Sequence, residues 1–301
     1  MLELKNPKIA VPVVLFAGIV WSFGPLVVRY MDNPSQVPWQ YIFGRGLTIC
    51  ILLNLYLYFE EGIKFWKNYL KIGKSGILGG SALGIAMITF IYSITNTSAA
   101  ITLLCLAAMP FFTALLAFIF LKEQISVNVW ISIAIATIGI AIMAFGNSGE
   151  NSLVGLVFGI TSSVGFSVFS VTLRWRKETP KFTTVAFAGF FCFFFATIMI
   201  LSNGQVFFST SYNSSLFSLH GTLVCFGLIL YSIGSKAIPA AELTLLSLTE
   251  VIGGIFWVWL PLFGINEVPD TNTIIGGFFL FISLFYYSLI MRWNKRHIGL
   301  N

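Results

Sequence analysis

Ten long apolar stretches constrain this chain more than any other feature. They fall near 9–31, 37–58, 76–95, 98–121, 127–145, 153–173, 183–201, 216–235, 240–262 and 272–291. A helix needs ~20 apolar residues to cross the ~30 Å hydrocarbon core of a bilayer. Stretches such as "VWISIAIATIGIAIMAFG" and "GFFLFISLFYYSLIM" are apolar all round, whereas strands of a membrane barrel alternate over ~10 residues. Helices satisfy their own backbone in lipid. Composition agrees, with 57% of the 301 residues hydrophobic and 9% charged, where a soluble domain carries about 25% charged residues. With 31 Phe, 10 Tyr and 8 Trp the chain is also too rich in core formers to be disordered. The expected fold class is an all-α integral membrane protein of ten transmembrane helices.

The connections are short. The longest, 59–74 and 202–215, are too small for a soluble domain, and the first reads as an amphipathic surface helix with Phe65, Trp66 and Tyr69 below its lysines. The first apolar run lacks a small-residue cleavage site and is read as a retained helix. If the N-terminus is cytoplasmic, all 17 Lys and Arg except Arg29 and Arg45, which lie within helices, fall in the inner segments. The outer segments then hold Asp32, Glu150, Glu267 and Asp270. Lys and Arg in short loops set orientation, so both termini are expected in the cytoplasm. Topology and anionic lipid account for the formal charge of +6 without nucleic acid.

Catalytic chemistry has little support. Cys50, Cys105, Cys192 and Cys225 lie inside spans, no Cys/His spacing suits a metal, and His220 and His297 fall near predicted helix ends. There is no Walker loop and no HExxH. "GITSSVG" at 159–165 lies mid-span without a base and reads as small-residue packing. Neither enzyme activity nor a cofactor or metal is expected.

The chain repeats itself. "GIVWSFG" (18–24) matches "GITSSVG" (159–165), and Tyr92-Ser93-Ile94 matches Tyr231-Ser232-Ile233. Ala100 matches Ala241, and each copy reaches an acidic residue after its fourth helix, Glu123 in "LKE" and Glu267 in "INE". These matches predict two five-helix units, 1–147 and 148–301, within one transport domain. Because five is odd, the second copy enters the membrane from the opposite side. Inverted repeats of this kind belong typically to secondary transporters, with a midplane site between the repeats.

Together these features resemble the EamA-type branch of the drug/metabolite transporter superfamily. The resemblance rests on ten spans in two halves, Trp21 in helix 1, Arg45 in "YIFGRG", and "YSITNTSAAITLLCLAAMPFFTALLAFIFLKE" with its central Pro110 and closing Glu123. The second half departs from the pattern, with Val251 where a proline is expected, Glu250 before it, and "INE" for the closing glycine-glutamate. The resemblance implies proton- or gradient-coupled movement or exchange of small metabolites, often amino acids, across the bacterial inner membrane. It also implies a central cavity lined chiefly by helices 1, 3, 4, 6, 8 and 9.

Glu250 lies about ten residues into helix 9, where a charge costs ~2.5–3.5 kcal/mol on insertion scales. It is a candidate counter-ion for a cationic substrate group or a proton carrier; the alternative is a neutral acid bonded to a neighbouring Ser or Thr. Arg45 can hold a carboxylate bidentately or snorkel, while Arg29 is expected at the interface. Trp21, Phe90, Met109 and Phe166, together with Trp257, are candidates for the cavity wall, and with Glu250 such rings can cage an ammonium group. Tyr92 and Tyr231 occupy equivalent places near opposite faces, as gates or as interfacial aromatics. Pro110 is a candidate hinge.

The expected function is secondary active transport, as exporter, importer or exchanger, of an amino acid or another zwitterionic or amine-bearing solute by alternating access. The expected partners are that small molecule, membrane lipid and a proton as coupling ion, in a monomer or homodimer. A lipid or lipid-linked substrate flippase is the alternative; a channel, receptor-like sensor or membrane enzyme is a third class.

Overall fold

A computed structural model describes residues 6–122, 127–146, 150–176, 178–235, 237–238 and 240–297, and every regular element among them is helical. In chain order the α-helices are α1 Pro7–Ser22, α2 Gly24–Arg29, α3 Pro38–Glu61, α4 Lys67–Leu70, α5 Gly73–Asn96, α6 Ala99–Leu106 and α7 Met109–Leu121. They continue with α8 Val127–Gly146, α9 Glu150–Trp175, α10 Lys181–Ser202, α11 Ser211–Gly234, α12 Ala240–Leu246, α13 Thr249–Trp259 and α14 Thr271–His297. Among the described residues 8 helical stretches are long and apolar enough to cross a membrane. Two shorter apolar stretches, Trp130–Ile142 and Thr271–Ser283, lie in α8 and α14. The chain is thus a multi-pass, all-helical membrane protein. The expectations for Lys5, Glu123, Lys177 and Lys236 lie outside the described residues, as do those for the side chains of Glu150, Arg292, Lys295 and Arg296.

Three of the apolar stretches are broken, and local chemistry explains each break. The first divides at Phe23, where Pro25 stands at the start of α2. The fourth divides at Ala107–Ala108, just before Pro110 in the first turn of α7, where a residue without an N–H costs no helical bond. The ninth divides without a proline. There the Ser247 hydroxyl donates to Thr244 O at 2.8 Å, and the Thr249 hydroxyl donates to Leu246 O at 3.2 Å and to Leu15 O at 3.1 Å. Such back-bonding competes with the helical ladder and bends it.

The helices pair across the sequence. α5 packs on α9 and α1 on α11; α3 packs on α10, α8 on α14, and α6–α7 on α12–α13. α10 also leans on α5 as α11 leans on α3, and α13 meets α1 as α6 and α7 meet α9.

Residues 59–74 do not form the expected amphipathic helix. Gly62 adopts φ +64° and ends α3, leaving a 3-10 turn, Gly62–Trp66, and the single turn of α4. Phe59, Ile63, Trp66 and Leu70 face outward, whereas Tyr69 turns back and its hydroxyl donates to Asn54 Oδ1 at 2.7 Å.

Where α2 ends, segments of both halves of the chain are tied together. Arg29 donates from Nε to Glu267 Oε2 at 2.5 Å, from Nη1 to Ile94 O at 2.8 Å and from Nη2 to Thr97 O at 3.0 Å. Glu267 Oε1 accepts from the Ala99 N–H at 2.6 Å. Arg29, expected at the interface, joins α2 to the α5–α6 turn and to the segment before α14.

Candidate functional site

The central cavity is built around one turn of α3. Tyr41 and Arg45 are four residues apart on that helix and so share a face. Arg45 is 5% exposed, and its Nε and Nη1 are buried without a hydrogen-bond partner. Its guanidinium carbon lies 5.5 Å from the centroid of the Phe90 ring on α5, a cation–π distance. Buried polar groups are nearly always paired, so two free donors on one charged side chain mark a place where a partner belongs.

α11 supplies His220. Thr210 caps this helix by accepting from the Asn213 N–H at 3.2 Å, so the helix begins earlier than the apolar run suggests. His220 consequently sits well inside α11, not near its end, and is 2% exposed. Its Nδ1 hydrogen-bonds the Tyr41 hydroxyl. On the other side Nε2 packs against Gly24, where a Cβ would lie 2.7 Å away. Any larger residue at position 24 would displace the ring.

α13 supplies Glu250, in the first turn after the break. A helix N-terminus favours a negative charge. The carboxylate has no hydrogen-bond partner among the described residues, and no ion pair there joins it to Arg45. The aromatic wall is Trp21, Phe90 and Phe166. Trp21 meets Phe166 edge-on at 5.9 Å, and its indole N–H donates to Val224 O at 3.2 Å. That approach requires Gly227, where a Cβ would lie 2.1 Å from Trp21 Nε1. Around these groups lies a partly open cavity.

Trp21, Arg45, Phe90, Met109, Phe166 and Glu250, all singled out in the sequence, line this cavity together. Tyr92, Tyr231 and Trp257 are not part of its lining. Tyr231 is fully buried behind the wall, hydrogen-bonded to the Ser170 hydroxyl at 2.7 Å and packed on Trp21 and Phe166. Tyr92 packs against Trp39 and Phe158. The Trp257 indole N–H donates to Ser22 Oγ at 2.9 Å and its ring stacks on Phe23. Sequence reasoning missed His220, Ser162 and Met87. A titratable residue inside a span is a signal in itself, and a helix start placed too late concealed it for His220. Among the described residues no three His, Cys, Asp or Glu gather as metal ligands would.

Comparison with known proteins bears on this arrangement. The sequence model of the EamA-like transporter family matches residues 8–145. By this match the first half of the chain is EamA-like. An uncharacterized transporter of Helicobacter pylori is 27% identical over 54% of this chain and 52% of its own length. The uncharacterized transporter YyaM of Bacillus subtilis is 30% identical over 56% of each chain. One from Clostridium kluyveri is 27% identical over 71% of this chain and 70% of its own. The chain spans about half the length of the first two of these relatives. A solved protein structure superposes with a TM-score of 0.62 at 15% identity, covering 95% of this chain and 99% of that one; the likeness is one of fold. The chain is a multi-pass helical membrane protein whose first half is similar to the EamA-like transporter family.

Proposed function

We infer that this protein is a secondary transporter that moves a small zwitterionic solute, an amino acid or a close analogue, by alternating access through the central cavity. The observation that carries the reading is the buried, unpartnered guanidinium of Arg45 facing the same cavity as the unbonded carboxylate of Glu250. A carboxylate on Arg45 would occupy its free donors, bidentately if it meets the fork. An ammonium group would lie against Glu250 and the faces of Trp21 and Phe166. Arg45 buries a charge that the solute's carboxylate would neutralise, so solute binding repays a burial cost already incurred.

Ten spans arranged as two inverted five-helix units suit this mechanism. The packing supports that reading because exchanging each helix with its counterpart five spans later maps the pairing onto itself: α5 on α9 becomes α11 on α1, and α10 on α5 becomes α3 on α11. The charge distribution supports cytoplasmic termini, and the likeness to bacterial relatives supports residence in a bacterial inner membrane. Pro110 and the break before α13 then flank the site as hinges.

Counterflow in proteoliposomes with a panel of radiolabelled amino acids tests the proposal. Exchange of a zwitterion is expected, and Glu250→Gln should weaken it at least tenfold while the protein stays monodisperse. If no solute exchanged while a labelled lipid crossed the bilayer, the protein would be a flippase instead.

A further inference from the structure

Resting on that transport reading, we propose that the Tyr41–His220 pair is the proton-carrying site of the cavity, loading a proton together with the carboxylate that binds Arg45. Histidine changes charge near neutral pH, and this one is buried in the cavity wall with a hydrogen-bond partner in place. The bond survives protonation by reversing direction. In the neutral ring the Tyr41 hydroxyl donates to Nδ1; in the charged ring Nδ1–H donates to the Tyr41 oxygen. Arg45 lies one turn along α3 from Tyr41. The two helices cross where Gly221, beside His220, meets the Arg45 carbonyl, 3.0 Å from where a Cβ would be.

The titratable groups around the ring are few. Tyr41 and Arg45 face it from α3, with Cys192 beyond them on α10, Cys225 on α11 itself and Glu250 across the cavity on α13. The walls from α1 and α5 are Trp21 and Phe90, and Arg29 stands at the far end of α2. Arg45 is therefore the charge that governs whether the ring can carry another. In the empty cavity the guanidinium repels a second cation, and a bound carboxylate cancels that repulsion. Carboxylate and proton then bind cooperatively, each strengthening the other by the same factor, which is the thermodynamic requirement for moving both in one direction. The proton adds to the ring nitrogen and leaves from it; no bond of the solute changes.

Glu250 gives the opposite sign. An ammonium group arriving at a protonated carboxyl would displace its proton, coupling solute to proton in exchange. Proton uptake against proton release on binding therefore separates the two sites.

The probe is the side-chain-neutral L-amino acid that the wild-type exchanges fastest, added near pH 7 to purified protein in weak buffer with a pH indicator. Wild-type is expected to take up protons on binding, approaching about one per solute, and His220→Gln to bind with no uptake. Tyr41→Phe removes only the hydroxyl and should bind with reduced uptake. Proton release, or uptake undiminished in His220→Gln, overturns the inference and leaves the transport reading standing. Should His220→Gln bind nothing, Tyr41→Phe decides: reduced uptake with binding intact supports the inference, and unchanged uptake or lost binding overturns it. If the wild-type exchanges no solute, the transport reading fails by that separate measurement, and the inference falls with it.

Discussion

Arg45 shows how far a single residue can be read. An arginine inside an apolar span is costly to insert, which is why it and Glu250 stood out in the sequence. The structure adds that Nε and Nη1 are unpartnered, which no sequence pattern contains. An unpaired buried charge lowers stability, and function is a common reason to retain one. Arg45→Met should therefore raise the melting temperature of the empty protein in detergent by several degrees while abolishing solute exchange. Arg45→Lys keeps the charge but loses the planar fork, so binding should weaken at least tenfold. A thermal-shift series beside counterflow checks both, and a fall in melting temperature for the methionine variant would show that Arg45 has a structural partner. The aromatics were less legible. At 16% of the chain aromatic residues occupy wall and core alike, and Tyr231 lies just behind Trp21 instead of beside it because its hydroxyl has Ser170 to bond.

At the scale of the element, apolar length carried most of the information, and helix ends carried little. Each apolar run is matched by helix, but the break between α12 and α13 falls at Ser247–Leu248 without the proline that marks its counterpart, Val251 standing in α13 where Pro110 stands in α7. The Ser247 and Thr249 hydroxyls do the work of the missing ring, a substitution that a proline-based reading overlooks. Helix α11 likewise begins before its apolar run, since the polar turn around Thr210 and Asn213 is helical by capping. If the break is intrinsic to the backbone there, Val251→Pro should be tolerated. Position 251 is in the first turn of α13, and its N–H makes only a short-range bond to Leu248 O at 3.0 Å. Ile255→Pro falls inside the same helix and should cost ~3 kcal/mol or more. Fluorescence-detected gel filtration after heating distinguishes them: equal loss of folded protein in both variants would mean that the first turn of α13 is held as rigidly as its interior.

For the molecule as a whole, on the alternating-access reading proposed above, the tie at the end of α2 marks the face that is closed. Arg29 and Glu267 bond each other and the α5–α6 turn at once, and the Tyr30 hydroxyl adds a bond to Phe263 O at 2.5 Å. These groups come from both halves of the chain, so opening that face requires them to part. Glu267 was visible in the sequence as the acidic end of a repeat, yet its partner was not, since Arg29 lies 238 positions away in a helix that the charge distribution left at the interface. Side-chain exposures of 20% and 22% leave the pair partly shielded, and a hydrogen bond to a charged group is worth about 1.5–3 kcal/mol. Losing the charge on one partner should thus shift the balance toward the state open on that face by roughly tenfold or more. In a cysteine-free background with Ala86→Cys reporting from the cavity wall, Glu267→Gln should speed labelling by a membrane-impermeant thiol reagent added on that side by about this factor. Added solute should slow the labelling in both proteins, because the reporter lies beside the site. Labelling that is unchanged by Glu267→Gln would mean that the closure rests on apolar packing of α2 and α13, with the ion pair contributing nothing to the gate.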